Sequence, residues 1–333
     1  MVYISVIVPA YNCEKEIKRC LEAIKKSSYQ DYELIVVDDG SNDSTASIAN
    51  NYTDKIVVHN NNQGLGMAHV SGFNIAKGEI IVGVDSDVII KSETLNKIMN
   101  YFSKHADIDA LTGILSKKHT NFNFFSQYKN LYMHYIFKKM PKDVSFLYGS
   151  IFAVRRNVLG LYDFDNASSF RITDDTVFGQ KLVSCGKRIS LLKDLEVTHL
   201  KKYTLLSFLV NDFRISFDRT NVFIKYKGWK QLGKNKTGYA HSPKEQLISI
   251  ILAPTIIIIF LTTTINGYHY CLKLFLISIW FFANINFITF LMKEKGIIFG
   301  ILSIIVTFVD NIIMASGIVA GVIATTISAI HKR

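Results

Sequence analysis

The chain has 333 residues, too long for one average domain and suited to two. Hydrophobic residues make up 49%, high for a soluble protein, and the excess falls almost entirely after Leu247, while the first two thirds read as an ordinary globular sequence. The formal charge of +11 is also localised: ten Lys and Arg lie between Lys201 and Lys244 against Asp212 and Asp218, directly before the apolar tail. A basic band in that place reads as headgroup contact and orientation, not nucleic-acid binding.

In chain order, "ISVIVPA" and "YELIVVDDG" are short β-branched runs, each ended by turn residues. Between them, Glu14–Lys26 carries Ile17, Leu21 and Ile24 at helical spacing. The alternation continues with a helix near Ser44–Asn50, a strand at Lys55–His59, a helix at Gly66–Ala76 and a strand at Glu79–Val84. A helix at Ser92–Ser103 and a strand at Ala110–Leu115 follow. So regular a β-α series implies a parallel sheet with helices on both faces. Ligands of such sheets sit beyond the carboxyl ends of the strands. Three candidate sites fall there: Pro9-Ala10-Tyr11, Asp38-Asp39-Gly40-Ser41 and Asp85-Ser86-Asp87.

No G-x-G-x-x-G follows the first strand, and no Walker motif occurs. The glycines of "NQGLGMAHVSG" lie at a different strand-to-helix junction, so dinucleotide and P-loop readings are set aside. In "IIVGVDSDVII", Asp85 and Asp87 close an apolar run. Two carboxylates one residue apart at a strand end can both turn toward one hard cation. That cation can bridge to a diphosphate and neutralise a leaving group. A solvated acidic turn is the plainer alternative; the position at the end of a central strand favours the cation.

Farther along, "TLLSFLVNDFRISFDRTNVF" (Thr204–Phe223) mixes apolar residues with Arg214, Arg219 and two acids. It suits a helix lying at a membrane surface with Tyr226 and Trp229 at headgroup depth, or equally a helix packed over the sheet. Three apolar stretches complete the chain: Leu247–Ile265, Tyr268–Met292 and Ile297–Ile330. They lack polar faces at helical period and read as transmembrane helices. The last gives one long tilted helix, or two if it breaks near Ser316-Gly317. No signal peptide or Arg-rich presequence is legible before "YISVIVPAYN", and Lys293–Lys295 separate the second and third stretches. The expectation is a multi-pass protein of the cell membrane with a cytoplasmic N-terminal domain. Cys13, Cys20, Cys185 and Cys271 form no C-x-x-C and read as unpaired thiols in a reducing compartment.

The pieces "SVIVPAYN", "LIVVDDGSNDST", "NQGLGMAHVSG", "VDSD", "YGSIFAVRR" and "TDDTVFGQKLVSCG" resemble, in order and approximate spacing over residues 3–200, the inverting family 2 glycosyltransferases. The resemblance implies a GT-A nucleotide-diphospho-sugar transferase fold, an α/β Rossmann-like mixed sheet, followed by an α-helical transmembrane region. The domains would be 1–200 catalytic, 201–245 basic and interfacial, and 246–333 transmembrane, with three helices or four. Pro9, Tyr11, Asp38 and Asp39 would form the base pocket. Asp85 and Asp87 would hold Mg²⁺ or Mn²⁺ against the diphosphate of a UDP- or GDP-linked sugar, with His199 of "VTHL" a weaker metal candidate. Asp175 matches the catalytic base and Asp174 its acidic neighbour. The plain alternative for both acids is capping of the helix that follows.

Two departures stand out. His69 replaces the family's Arg or Leu in the Gly-rich segment, so no phosphate contact is expected there. Processive synthases carry Q-x-x-R-W, whereas this chain has "NDFRIS", with Arg214 matching the Arg and Ile215 in place of Trp. Polymer synthesis is therefore not the leading expectation. The resemblance points to transfer of one sugar to a hydroxyl of a lipid or lipid-linked acceptor, and the runner-up is transfer to a polyprenyl phosphate. Membrane lipids, and no nucleic acid, complete the expected partners.

Overall fold

The computed structural model describes residues 4–162, 174–225, 244–262 and 267–331. Residues 226–243, which include Tyr226, Trp229 and four of the ten basic residues, lie outside them. The chain divides into two compact units: residues 1–122 with 141–202, and residues 123–140 with 203–333.

The first unit is built on a mixed sheet. In chain order its elements are β1 (Ile4–Ala10), α1 (Ile17–Lys25), β2 (Tyr32–Asp38), α2 (Thr45–Ala49), β3 (Ile56–Val58), α3 (Leu65–Ile75) and β4 (Ile80–Val84). Then come β5 (Val88–Ile89), α4 (Thr94–Lys104), β6 (Ala110–Leu115), β7 (Asp143–Val144), β8 (Ile151–Arg155), a 3₁₀ turn, α6 (Asp174–Ser184) and β9 (Ile189–His199). The order across the sheet is β3-β2-β1-β4-β8-β6-β9-β5, with β7 beside β9. The alternation read from the sequence gives the elements within a few residues, and β3-β2-β1-β4 is parallel as expected. Beyond β4 the parallel pattern read from the alternation stops, and the mixed sheet that the resemblance implies is found. β8 inserts antiparallel between β4 and β6, so the sheet is mixed.

Burial explains these elements. β1 and β4 are buried along their whole length, as strands covered on both faces must be. Helix α1 buries Ile17, Cys20, Leu21 and Ile24, one stripe at i, i+3, i+4 and i+7, and leaves its charged residues outside. All four cysteines are unpaired.

The second unit is helical: α5 (Phe124–Lys139), α7 (Leu205–Lys225), α8 (Lys244–Thr262), α9 (Gly267–Lys295) and α10 (Ile297–His331). Helix α5, whose place in the chain is between β6 and β7, belongs to this unit. Asn123 caps it, its Oδ1 accepting from Ser126 N–H at 2.8 Å. Tyr128 and Tyr132 meet the Phe287 ring edge-on, and the Tyr128 hydroxyl lies 2.9 Å from that of Thr307. Lys129 Nζ donates to Asp212 Oδ1 of α7 at 2.5 Å, both side chains being almost fully buried. Helix α10 runs unbroken through Ser316-Gly317. A Cβ at Gly317 would stand 2.5 Å from the Phe213 carbonyl oxygen of α7, and one at Gly321 2.9 Å from that of Phe217. Close helix packing therefore accounts for these glycines, and the two-helix alternative falls.

Among the described residues, two helices are long and apolar enough to cross a membrane, Tyr270–Lys295 and Ile297–Ile327, while the apolar part of α8 is shorter, Glu245–Leu261. The unit's polarity is inverted relative to a water-soluble bundle. Leu261, Phe282 and Ile298 are 82%, 71% and 77% exposed, while Ser249, Asn284, Thr307, Asp310 and Asn311 are buried.

The Lys129–Asp212 pair yields a stability prediction. Lys129→Met strands a buried carboxylate and should cost about 3–5 kcal/mol, whereas Lys129→Met/Asp212→Leu should cost much less, because the two members of the pair are removed together. Thermal unfolding of the single and double variants in detergent checks the ordering.

Candidate active site

Parallel register places the carboxyl ends of β1, β2 and β4 side by side, with Ala10 opposite Asp38 and Ile7 opposite Gly83. The loops that leave these ends carry all three sequence candidates. Pro9 is buried within β1 opposite Val37, and Tyr11 follows with its side chain half exposed. Asn12 takes a positive φ of 47°; its N–H donates to Ser41 Oγ, and its Oδ1 accepts from Asn42 N–H. The first two strand ends are thus tied together. Asp38 turns inward, and its carboxylate accepts from both the N–H and the hydroxyl of Ser41.

Asp39 is more heavily engaged. Oδ1 accepts from Gln63 N–H at 2.9 Å and lies 2.6 Å from His59 Nδ1, while Oδ2 accepts from Gly64 N–H at 2.8 Å. The carboxylate thus holds the turn from His59 to Gly64. Gly40 is required beneath that turn: its φ is +73°, and a Cβ would lie 2.5 Å from the Asn61 carbonyl carbon.

The second half of the site surrounds Gly149. A Cβ there would sit 3.3 Å from Asp175 Oδ2 and 3.5 Å from Asp85 Oδ2, so the two carboxylates flank a single point. Gly149 N–H donates to Asp175 Oδ2 at 2.6 Å, and Thr176 N–H to Oδ1 at 2.6 Å. Capping and orientation of Asp175 are therefore one arrangement. Tyr148, which sequence reasoning passed over, is also here. Burial raises its phenol well above the usual value, and the charges of Asp85, Asp175 and Asp87 push the same way. It is a hydroxyl that stays protonated among three acids.

Asp87 faces β9. His199 Nε2 lies 3.3 Å from Asp87 Oδ2, and Leu200 N–H donates to the Asp87 carbonyl at 2.7 Å. Burial pushes the Asp87 carboxyl up, but the His199 imidazole and the Lys201 charge outweigh it and hold it below the usual carboxylate value. His119, a second residue the sequence gave no reason to choose, has its ring 6.3 Å from that of His199, and burial holds its imidazole below the usual range. Among the described residues, no three His, Cys, Asp or Glu side chains converge as a ready-made metal cage. Asp85 and Asp87 at one strand end, with His199 against the second, form an incomplete oxygen-rich set. Such a set suits an ion that keeps water and substrate oxygens as its other ligands.

The other candidates fall elsewhere. Asp174 opens α6, and its side chain lies outside the described residues. Arg214 is an exposed residue of α7, in the helical unit. His69 is buried, stacked on Phe73 and edge-on to Phe152; it is a core residue.

Comparison with known proteins bears on the fold and on what the sequence is similar to. Residues 5–161 match the family model described as Glycosyl transferase family 2. Glycosyltransferase GlyG of Streptococcus pneumoniae is 29% identical over 216 residues, 62% of this chain and 67% of that protein. The poly(ribitol-phosphate) beta-glucosyltransferase of Bacillus spizizenii is 40% identical over 120 residues, 34% of this chain but only 19% of that protein. Among solved structures, mannosyltransferase PcManGT from Pyrobaculum calidifontis, in complex with GDP-Man and Mn²⁺, aligns over 98% of this chain and 87% of its own. Its TM-score is 0.58 at 15% identity. The fold is GT-A-like.

Gly149 carries a prediction of its own. The atoms nearest a new Cβ are carboxylate oxygens that can swing aside, so Gly149→Ala should leave thermal unfolding nearly unchanged. Calorimetry with Mn²⁺ should likewise show little change, since Asp85 Oδ2 stays at an ordinary contact distance of 3.5 Å and only Asp175 Oδ2, at 3.3 Å, must give way.

Proposed function

We propose that this chain is an inverting family 2 glycosyltransferase, moving one sugar from a nucleotide-diphospho-sugar to a hydroxyl of a lipid or lipid-linked acceptor. The observation that carries the reading is the pair of carboxylates about Gly149. Asp85 lies at the end of the central strand and Asp175 faces it, in a domain most of which matches the family 2 model. Hydroxyl transfer asks for these residue types. The acceptor oxygen must lose a proton as it attacks, and Asp175, aimed by two backbone N–H groups, takes it. The new carbon–oxygen bond forms as the bond from the anomeric carbon to the diphosphate oxygen breaks, and the electron pair leaves with the nucleoside diphosphate. With no enzyme nucleophile, one displacement inverts the anomeric centre.

The donor would lie across the strand ends. The exposed Tyr11 ring offers the base a stacking face, and Asp39, in the pocket Pro9 shapes, keeps acceptor capacity for a base N–H. Asp85 and Asp87 would hold Mg²⁺ or Mn²⁺, with His199 an additional nitrogen ligand. The bound ion supplies charge neutralisation at the diphosphate leaving group. The mannosyltransferase of like fold was solved with GDP-Man and Mn²⁺, which is consistent with that assignment.

Membrane anchoring is supported by the inverted polarity of the helical unit. Large apolar side chains face outward and amide and hydroxyl groups inward, as lipid rather than water requires. The proposed orientation puts the first unit in the cytoplasm. Cys185, exposed where Cys13 is buried, is the thiol to test it: an impermeant reagent outside intact cells should leave Cys185 unlabelled, and labelling it reverses the orientation.

Two substitutions separate the site's parts. Asp175→Asn keeps the shape and removes the base, so single-turnover transfer of radiolabelled sugar into a lipid extract should fall by about 10²–10⁴ with donor affinity retained. Asp87→Asn should weaken donor binding itself, and excess EDTA should do the same to the wild type. Near-normal turnover in a folded Asp175→Asn protein means the acceptor oxygen arrives already ionised, as in a polyprenyl phosphate, and overturns the hydroxyl assignment.

A further inference from the structure

Among the buried titratable groups to which the mechanism gives no task is His59. His59 follows β3, and its side chain is only 7% exposed. Nδ1 lies 2.6 Å from Asp39 Oδ1 and Nε2 lies 2.8 Å from the Ser71 hydroxyl of α3. Its N–H donates to the Asp38 carbonyl at 2.9 Å, so the backbone fixes where the ring begins.

A serine, an imidazole and a carboxylate in line suggest a hydrolytic triad, but the surroundings exclude it. Ser71 lies inside α3, where the backbone N–H groups belong to the helix. The N–H groups of Gln63 and Gly64, which leave the turn toward this corner, both donate to Asp39. Nothing is left to hold an oxyanion.

The hydrogen-bond roles are instead fully determined. The ionised Asp39 carboxylate only accepts, so Nδ1 carries a proton and donates to it. In the neutral ring, Nε2 then accepts from the Ser71 hydroxyl; if the ring gains a proton, that hydroxyl turns and accepts. Both contacts hold whichever way the Ser71 hydroxyl turns, so this is a fixed brace. Asp39 has three donors on it, from His59, Gln63 and Gly64, and the backbone at Asn61 and Asn62 closes directly over Gly40. The brace therefore sets the shape of the turn over the second strand end, where the proposed function seats the nucleoside.

We infer that His59 is a positioning residue of the donor pocket: by donating from Nδ1 it fixes Asp39 and the His59–Gly64 turn in the form that receives the nucleoside diphosphate. The inference rests on the proposed function, and it concerns donor affinity, not the chemical step.

Two substitutions divide the ring's two contacts. The amide of His59→Asn falls near Nδ1 and can still donate to Asp39. That of His59→Gln falls near Nε2 and meets Ser71 instead. Ser71→Ala removes the second contact alone. With purified full-length protein at fixed Mn²⁺, UDP and GDP are each titrated by calorimetry, and donor KM and kcat are measured in parallel. His59→Gln should raise nucleotide Kd and donor KM about tenfold or more, the scale of one hydrogen bond to a charged group. His59→Asn and Ser71→Ala should stay within about threefold, and kcat should hardly move in any of them.

Equal effects of Asn and Gln, or a flat Kd series with equal losses of melting temperature, reduce His59 to a space-filling residue and overturn the inference. If His59→Gln does not fold, the wild type still decides. Its histidine ¹⁵N resonances should show Nδ1 protonated and should shift on adding the nucleotide that binds; no shift at saturation overturns the inference. A folded wild type that binds neither nucleotide overturns the proposed function and this inference together. Nucleotide binding that depends on Asp87 but ignores His59 overturns only the second.

Discussion

The parallel pairing of β1 with β2 and β4 is the constraint on which the rest of the first unit depends. Parallel strands in one register end at one edge, so the peptides after Ala10, Asp38 and Val84 emerge together. Each is then free of the ladder and must find partners elsewhere. The partners are the site. Asn12 joins Ser41 and Asn42, Asp38 closes on Ser41, and Asp39 gathers three donors from the next strand end. Carboxylates at this edge are therefore of two kinds. Asp38 and Asp39 build it, and Asp39 keeps one acceptor position besides its three donors. Asp85 and Asp87, beyond β4, border the cleft where β8 and α6 bring up Gly149 and Asp175.

That division explains what the sequence revealed. Strand ends could be read from β-branched runs and turn residues, because local composition encodes them, and so Tyr11, Asp39, Asp85 and Asp87 were all found at one edge. The antiparallel insertion of β8 could not be read. Ile151–Arg155 is a short apolar run, and nothing within it states which neighbour it pairs with or in which direction. The same limit hid His59, Tyr148 and His119, whose roles come from residues 20, 27 and 80 positions away or more. A lone histidine after a strand carries no signal until the carboxylate it faces is known. Asp175 is the opposite case: its motif singles it out in the sequence, although its orientation depends on Gly149, 26 positions away.

The helical unit obeys a different solvent rule. Sequence alone marked its apolar stretches but not what lies between the helices. Asn284 donates to Ser249 at 2.9 Å, Tyr128 meets Thr307, and Lys129 meets Asp212. Apolar packing alone gives helices little reason to associate in lipid, so small residues and hydrogen bonds must set their register. Gly317 and Gly321 let α7 approach α10 to backbone contact, and Thr325 Oγ1 donates to Asn221 Oδ1 at 2.7 Å farther along the same pair. A helix with Arg214, Arg219 and Asp212 on it is thereby held to one of the most apolar helices of the chain. Thr204–Phe223, for which the sequence leaves two readings open, belongs to the helical unit.

Helix α5 shows how far connectivity can mislead. Between β6 and β8 a doubly wound chain would place a helix over the sheet, and the spacing here fits one. Its composition argues otherwise. Tyr128, Lys129, Leu131, Tyr132, His134 and Phe137 point in nearly every direction around the helix, and all are buried. A helix covering a sheet keeps one polar face for water; one buried all round needs neighbours on every side. Phe287, Phe290 and Phe299 supply rings on one part of its surface, and Asp212 and Phe208 occupy another. Buried Lys129 then has to be neutralised, which ties α5 to α7 by charge as well as by packing. The chain thus leaves the first unit at Phe122, contributes one largely buried helix to the second, and returns at Pro141, where proline prevents the helix from running on.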